Sequence, residues 1–195
     1  MNATDWDDHY QKGDVFWDKG APSPPLKEYL ERHTLRGRAL VPGCGRGHEV
    51  ALAVAHGLDA VGLDIAPTGL AEARARYPHL AQHFVLGNFF DPPTEVGGPF
   101  DVVLEHTCLC ALPPTLRPDY RRAVDRSLRH GGLLVGVWFI NPALAPGEEG
   151  PPFGIGVDEL KALFEDGYEI VDDYLPSVAF PNREGRERLR VLRRL

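Results

Sequence analysis

The chain has 195 residues, of which 43% are hydrophobic, 25% charged and 9% aromatic. That is the makeup of an ordinary globular domain, long enough to close one core without metal or disulfide staples. The 21 Lys and Arg against 28 Asp and Glu leave a formal net charge of −7, which argues against nucleic acid or anionic lipid as a general partner and for a small molecule instead. Cys44, Cys108 and Cys110 show no paired spacing, so a reducing cytoplasm is expected rather than a disulfide scaffold. The first twenty residues carry Asp5, Asp7, Asp8 and Asp14 and do not resemble a signal peptide. The longest apolar run, Leu133 to Ile140, is far shorter than the roughly 20 residues a membrane helix needs. An acidic surface fits monomer and homodimer alike.

Before residue 38 there is no strand pattern. A polar, aromatic-bearing segment runs from Trp6 to Trp17, and Pro24 and Pro25 then open a helix-like stretch, Leu26 to Leu35, proline being harmless in a first helical turn. From Arg38 short apolar runs alternate with amphipathic segments, the signature of βαβ units and a parallel sheet. The expected strands are Ala39–Val41, Ala60–Leu63, His83–Leu86, Val102–Glu105 and Leu133–Phe139, with helices at Glu49–His56, Pro67–Tyr77 and Pro118–Leu128 between them. Gly57 and Gly131 sit where helix C-termini favour a left-handed residue. A Pro- and Gly-rich loop, Asn141 to Gly156, follows as a lid candidate. A helix, Val157–Phe164, and two β-like stretches, Glu169–Val178 and Arg188–Leu192, close the chain.

The segment Val41-Pro42-Gly43-Cys44-Gly45-Arg46-Gly47 follows a strand and opens a helix, so Gly43 and Gly45 permit a tight turn that a ligand can approach closely. Asp64 closes the next strand about 20 residues on, where a carboxylate can accept both hydroxyls of a ribose. The spacing is Gly-x-Gly-x-Gly, with Arg46 and His48 where a pyrophosphate-binding turn would lie. That favours S-adenosylmethionine, which has no pyrophosphate, over a dinucleotide. Asn88-Phe89, after the third run, is placed at the adenine: a polar group for its edge, a ring for its face. Phe89 serves equally well as core filling, and Phe90 reads as core.

These residues resemble one group, the thiopurine S-methyltransferase family, and within it the halide/thiol branch, the plant harmless-to-ozone-layer methyltransferases and their bacterial relatives. The resemblance spans nearly the whole chain. It is carried by Trp17-Asp18-x-Gly20, Val41-Pro42-Gly43-Cys44-Gly45-x-Gly47-His48, Gly62-Leu63-Asp64-Ile65, Phe100-Asp101, Cys110-Ala111-Leu112, Arg117-Pro118, Gly150-Pro151-Pro152-Phe153 and Pro181-x-Arg183-x-Gly185-x-Glu187-x-Leu189. It implies a class I methyltransferase fold: a Rossmann-like, seven-stranded, mainly parallel sheet with an antiparallel last strand and helices on both faces. It also implies one domain, with residues 1–37 as a helical cap and 38–195 as the core. A methyl group would pass from S-adenosylmethionine, leaving S-adenosylhomocysteine, to a soft nucleophile. Cofactor contacts implied by the family fall on Trp6, Tyr10, Trp17, Gly43, Asp64 and Ile65, with Asn88-Phe89 in place of an Asp and a hydrophobic residue. Tyr10 stands where Trp is usual.

The branch's acid-aromatic pair after the fourth strand is Glu105-His106 here, and Cys108-Leu109 replaces two phenylalanines. Glu105, at the carboxyl end of that strand, is expected to orient the acceptor or accept the cofactor's ammonium. His106 is the candidate general base for a thiol acceptor, with a hydrogen-bonded wall residue as the plainer reading. No metal site is expected, since Cys108 and Cys110 lack further ligands at suitable spacing. Arg183 is a candidate to close the pocket over an anion. The expected activity is methylation of a small thiol, bisulfide, selenium or halide nucleophile. Thiopurine-type methylation of heterocyclic thiols is the first rival and a non-catalytic S-adenosylmethionine-binding protein the second. A nicotinamide dehydrogenase is disfavoured by the glycine spacing.

Overall fold

In the computed structural model, which describes residues 3–145, 147 and 149–195, every apolar run becomes a strand of one sheet. The strands are β1 (Arg38–Pro42), β2 (Asp59–Asp64), β3 (Phe84–Leu86), β4 (Phe100–His106), β5 (Leu128–Phe139), β6 (Tyr168–Tyr174) and β7 (Glu187–Arg194). The helices are α1 (Ala3–Lys12), α2 (Pro24–Arg32), α3 (His48–Ala55), α4 (Pro67–Arg76), α5 (Cys108–Ala111), α6 (Arg117–Ser127) and α7 (Val157–Phe164). The sheet order is β3-β2-β1-β4-β5-β7-β6, with only β7 antiparallel to its neighbours. This is the mainly parallel sheet with a reversed last strand that the sequence implies. No helix among the described residues is long and apolar enough to cross a membrane.

Side chains alternate across the strands, so each strand feeds two cores. Ala39, Val41, Val102, Leu104, Val135 and Val137 pack beneath Leu26 and Tyr29 of α2, Val50 and Ala53 of α3, and Leu70 and Ala73 of α4. Leu40, Val103, Leu134 and Trp138 pack on the other face against Tyr120 and Val124 of α6 and Leu160 and Phe164 of α7. Chain direction across the sheet reverses between β1 and β4: β1 to β3 progress outward one way, β4 and β5 the other. A crevice opens outside the carboxyl ends of the strands at such a switch point.

Two expectations change, and one short helix is added. Gly131 ends no helix: α6 stops at Ser127, and Gly131, with φ +75°, lies inside a β5 that begins at Leu128. The left-handed residue serves a strand irregularity, opposite the register shift between Phe100 and Val102 of β4. The stretch expected to run to Val178 is strand only as far as Tyr174. Cys108–Ala111 is a short helix, entered through Thr107 at φ +65°, a strained conformation for a β-branched residue.

Trp138 is almost wholly buried, with its ring 6.4 Å from Tyr120 and 6.0 Å from Phe164. Trp138→Ala is expected to lower stability by about 3–5 kcal/mol. Its indole Nε1 has no hydrogen-bond partner among the described residues, so Trp138→Phe is expected to cost less than half as much. Urea unfolding of the three proteins checks both, and equal losses would contradict the packing account.

Candidate active site

The turn after β1 is shaped by glycine. Gly43 has φ +61°, and a Cβ there would lie 3.2 Å from Cys108 Cβ, so this backbone can pass α5 only without a side chain. At the end of β2, Asp64 accepts the Gly45 N–H through Oδ2 at 2.7 Å and the Ala66 N–H through Oδ1 at 2.9 Å. Those amides fix the carboxylate's direction while leaving lone pairs on both oxygens. Asp64 is 8% exposed, and burial pushes its pKa up although the amides of Ala66, Gly45 and Ile65 oppose the shift.

The N-terminal segment lies across this turn. Asp7 of α1 accepts the Thr68 N–H at 2.7 Å, capping the start of α4. Tyr10 covers two glycines: a Cβ on Gly45 would lie 2.7 Å from its hydroxyl, and one on Gly69 2.8 Å from its ring. Trp17 packs edge-on against Trp6 and Tyr10, at centroid distances of 5.3 and 5.8 Å. Asp18 clasps the segment in place, accepting from Arg46 Nη1 at 2.7 Å and the Gly20 N–H at 2.7 Å, with His48 Nε2 at 3.1 Å. Burial acts to raise the Asp18 pKa, but the bonds from His48, Gly20 and Arg46 outweigh it and hold the carboxyl well below the usual range.

A cavity of about 790 Å³ opens under this cover, within the range of small-molecule sites. It brings together eight of the residues singled out in the sequence: Trp6, Tyr10, Trp17, Gly43, Asp64, Ile65, Asn88 and Phe89. Asn88 is exposed, with Oδ1 committed to the Phe90 N–H at 2.9 Å, so its amide nitrogen is the group left for a ligand. Phe89 is buried against Tyr120, whereas Phe90, read as core, is half-buried and also lines the cavity. Ala143, Pro151 and Pro152 of the 141–156 loop line it too; residues 146 and 148 of that loop lie outside the described residues.

Three site expectations are not met. Gly45 does not line the cavity; its amide serves Asp64 and Tyr10 covers it. Glu105 is 1% exposed and faces away from it. One oxygen of Glu105 accepts the Cys108 and Leu109 N–H groups at 2.9 and 3.0 Å, and the other accepts the Tyr120 hydroxyl. It therefore caps α5, and at 1% exposure outside the lining it is not placed to meet an acceptor or an ammonium. His106 also stands outside the lining, with Nδ1 at 2.9 Å from Glu49 Oε1 and Nε2 at 3.4 Å from Arg183 Nη1. Both ring nitrogens are engaged, so it is not placed to take a proton from a thiol.

Other residues of the lining have roles that the sequence only partly signals. Arg183, 8% exposed, lines the cavity, as do Arg186, Lys19, Cys108, Cys110 and Phe139. Its guanidinium sits 4.7 Å from the Phe139 centroid and 5.6 Å from that of Phe180. Phe139 gave no site signal because it ends a continuous apolar strand run. Lys19 and Arg186 sit in short turns with nothing local to mark them.

The site fits S-adenosylmethionine. A buried carboxylate offers lone pairs where a sugar diol would lie, the bare Gly43 leaves close passage for the amino-acid tail, and aromatic rings face the space between. Fold and site together define a class I S-adenosylmethionine-dependent methyltransferase. A family model described as thiopurine S-methyltransferase matches residues 1–192, and the chain belongs to that family. A probable thiol methyltransferase 2 from Arabidopsis thaliana is 30% identical over 190 residues, covering 94% of this chain and 82% of its own. Thiocyanate methyltransferase 1 from the same plant is 29% identical over 191 residues, with the same 94% and 82% coverage. In fold, the chain matches Burkholderia thailandensis 1,6-didemethyltoxoflavin-N1-methyltransferase, solved with S-adenosylhomocysteine, at a TM-score of 0.75 and 20% identity over 98% of this chain and 86% of that one.

Asp64→Ala removes the diol acceptors and is expected to weaken S-adenosylhomocysteine binding about 10- to 100-fold, the worth of hydrogen bonds to a charged group. Titration calorimetry checks it, and unchanged affinity would contradict the assignment.

Proposed function

We propose that the chain methylates a small soft nucleophile in its anionic form: a thiolate, bisulfide, a selenium anion or a halide. The observation that carries this reading is Arg183, a guanidinium about nine-tenths buried between two phenyl rings at the cavity wall. Lys19 and Arg186 share that lining, and Asp64, committed to the sugar end, is its one carboxylate among the described residues. A chain of net charge −7 thus lines this cavity with three cationic side chains against one carboxylate among the described residues. The names of the two plant relatives, a thiol and a thiocyanate methyltransferase, support the same class.

S-adenosylmethionine supplies an electrophilic methyl group on a cationic sulfur with a neutral thioether as leaving group. The protein's work is then alignment and exclusion of water. Asp64 would hold the ribose, Ile65 and Phe89 would flank the adenine with Asn88 at its edge, and Trp6, Tyr10 and Trp17 would wall the sulfonium. At the other end Arg183 draws the anion in, while Phe139, Leu112 and Leu116 strip its hydration. A base is not part of this arrangement. Burial pushes the Cys108 and Cys110 thiols up, so they stay protonated, and His106 is occupied by Glu49 and Arg183. The acceptor arrives already ionised. A heterocyclic thiol is the second reading, favoured by a cavity with volume to spare beyond a single ion.

For thiol acceptors kcat/KM is expected to rise with pH and level off at the pKa of the acceptor itself, whereas iodide gives a flat profile over the same range. Steady-state rates with two thiols of different acidity and with iodide check this. One inflection shared by all three acceptors would sink it, and a thiopurine assayed alongside separates the second reading.

A further inference from the structure

We propose that His106 is a positioning residue for the acceptor: backed by Glu49, it holds Arg183 turned toward the cavity and out of a two-pronged pairing with Glu187. The inference deepens the anionic-acceptor reading and rests on it.

Glu49 comes from α3, one turn past the glycine loop, and is buried; its Oε1 accepts the Ser23 N–H at 3.0 Å and faces His106 Nδ1 at 2.9 Å. Only a donor satisfies a carboxylate, so in the neutral ring the proton sits on Nδ1 and Nε2 presents its lone pair. That lone pair lies 3.4 Å from Arg183 Nη1, which also donates to Glu187 Oε1 at 3.0 Å. Arg183 Nη1 is thus shared between the two, while Nε and Nη2 have no hydrogen-bond partner among the described residues.

Glu187 is the telling partner. It is 2% exposed, and its second oxygen, Oε2, is buried with no hydrogen bond. A guanidinium beside a buried carboxylate is most stable as a fork, two N–H groups on two oxygens. Here it makes one such bond and leaves the second oxygen empty. The His106 lone pair competes for Nη1, the one guanidinium nitrogen that serves Glu187. Phe139 and Phe180 flank the guanidinium, with ring centroids 4.7 and 5.6 Å away. With an apolar ring at position 106, the fork closes and the cavity loses its cation.

His106→Phe keeps the ring and removes the lone pair. Its iodide KM is expected to rise about tenfold, the worth of a hydrogen bond to a charged group, with kcat and the S-adenosylmethionine KM within twofold of the native values. His106→Gln, whose amide oxygen can accept from Arg183, is expected to recover most of the loss. The double variant His106→Phe, Glu187→Gln weakens the competing fork and is expected to bind iodide better than His106→Phe alone, the reverse of added damage. Should His106→Phe not fold, Glu49→Gln, which leaves the ring less firmly oriented, is expected to raise the iodide KM alone. An unmoved iodide KM, or equal shifts in both KM values, overturns the relay and leaves the acceptor reading standing. Absence of iodide and bisulfide turnover by the native chain overturns both.

Discussion

The clasp on Asp18 makes the rest possible. A carboxylate only 7% exposed in its side chain is gripped by Arg46 of the glycine loop and His48 of α3, so the segment bearing three aromatic rings is fastened to the turn whose ligand those rings cover. Because its folded pKa is lowered, Asp18 contributes its stabilisation at neutral pH and gives it up only as acid drives the carboxyl below its ordinary titration range. Without the clasp, Trp6 and Tyr10 would stand on a polar ten-residue helix, with Trp17 just beyond it, held mainly by Asp7 at Thr68 and by Tyr10 on Gly69.

The two ends of the cavity obey different electrostatics. At Asp64 a carboxylate is fixed by the backbone amides of Gly45 and Ala66. At the acceptor end a buried cation is balanced by Glu187 behind it, so its field is directed by what stands opposite. Net charge therefore says little about this site. The chain as a whole repels anions, yet over the few ångströms that matter to a bound acceptor the nearest charges decide.

The sheet and the cavity-lining turn between Gly43 and Asp64 are legible in the sequence because their signals are local. Short runs of three to seven residues mark the strands, and Gly43, Gly45 and Asp64 lie within about 20 residues in a strand-turn-helix-strand order. The acceptor half is not. Glu105 stands at the carboxyl end of β4, where ligands bind in such sheets, and on that rule it reads as functional. Its fate is decided by α5 beginning three residues later and by Tyr120, fifteen residues on, whose hydroxyl takes the remaining oxygen. Likewise His106 is committed by Glu49, fifty-seven residues earlier, and Arg183, seventy-seven later. Gly131 fails for a related reason, since a left-handed glycine serves a strand irregularity as readily as a helix end.

One consequence concerns α1. A helix of ten residues has almost no intrinsic stability in water, so its order is lent by α4, by the Asp18 clasp and by whatever fills the space beneath it. Ligand affinity and local folding are then two readings of a single thermodynamic quantity. Any dissociation constant measured for this chain already contains the work of settling that helix, and a substitution on its outer face, touching nothing bound, shifts the constant through that work alone.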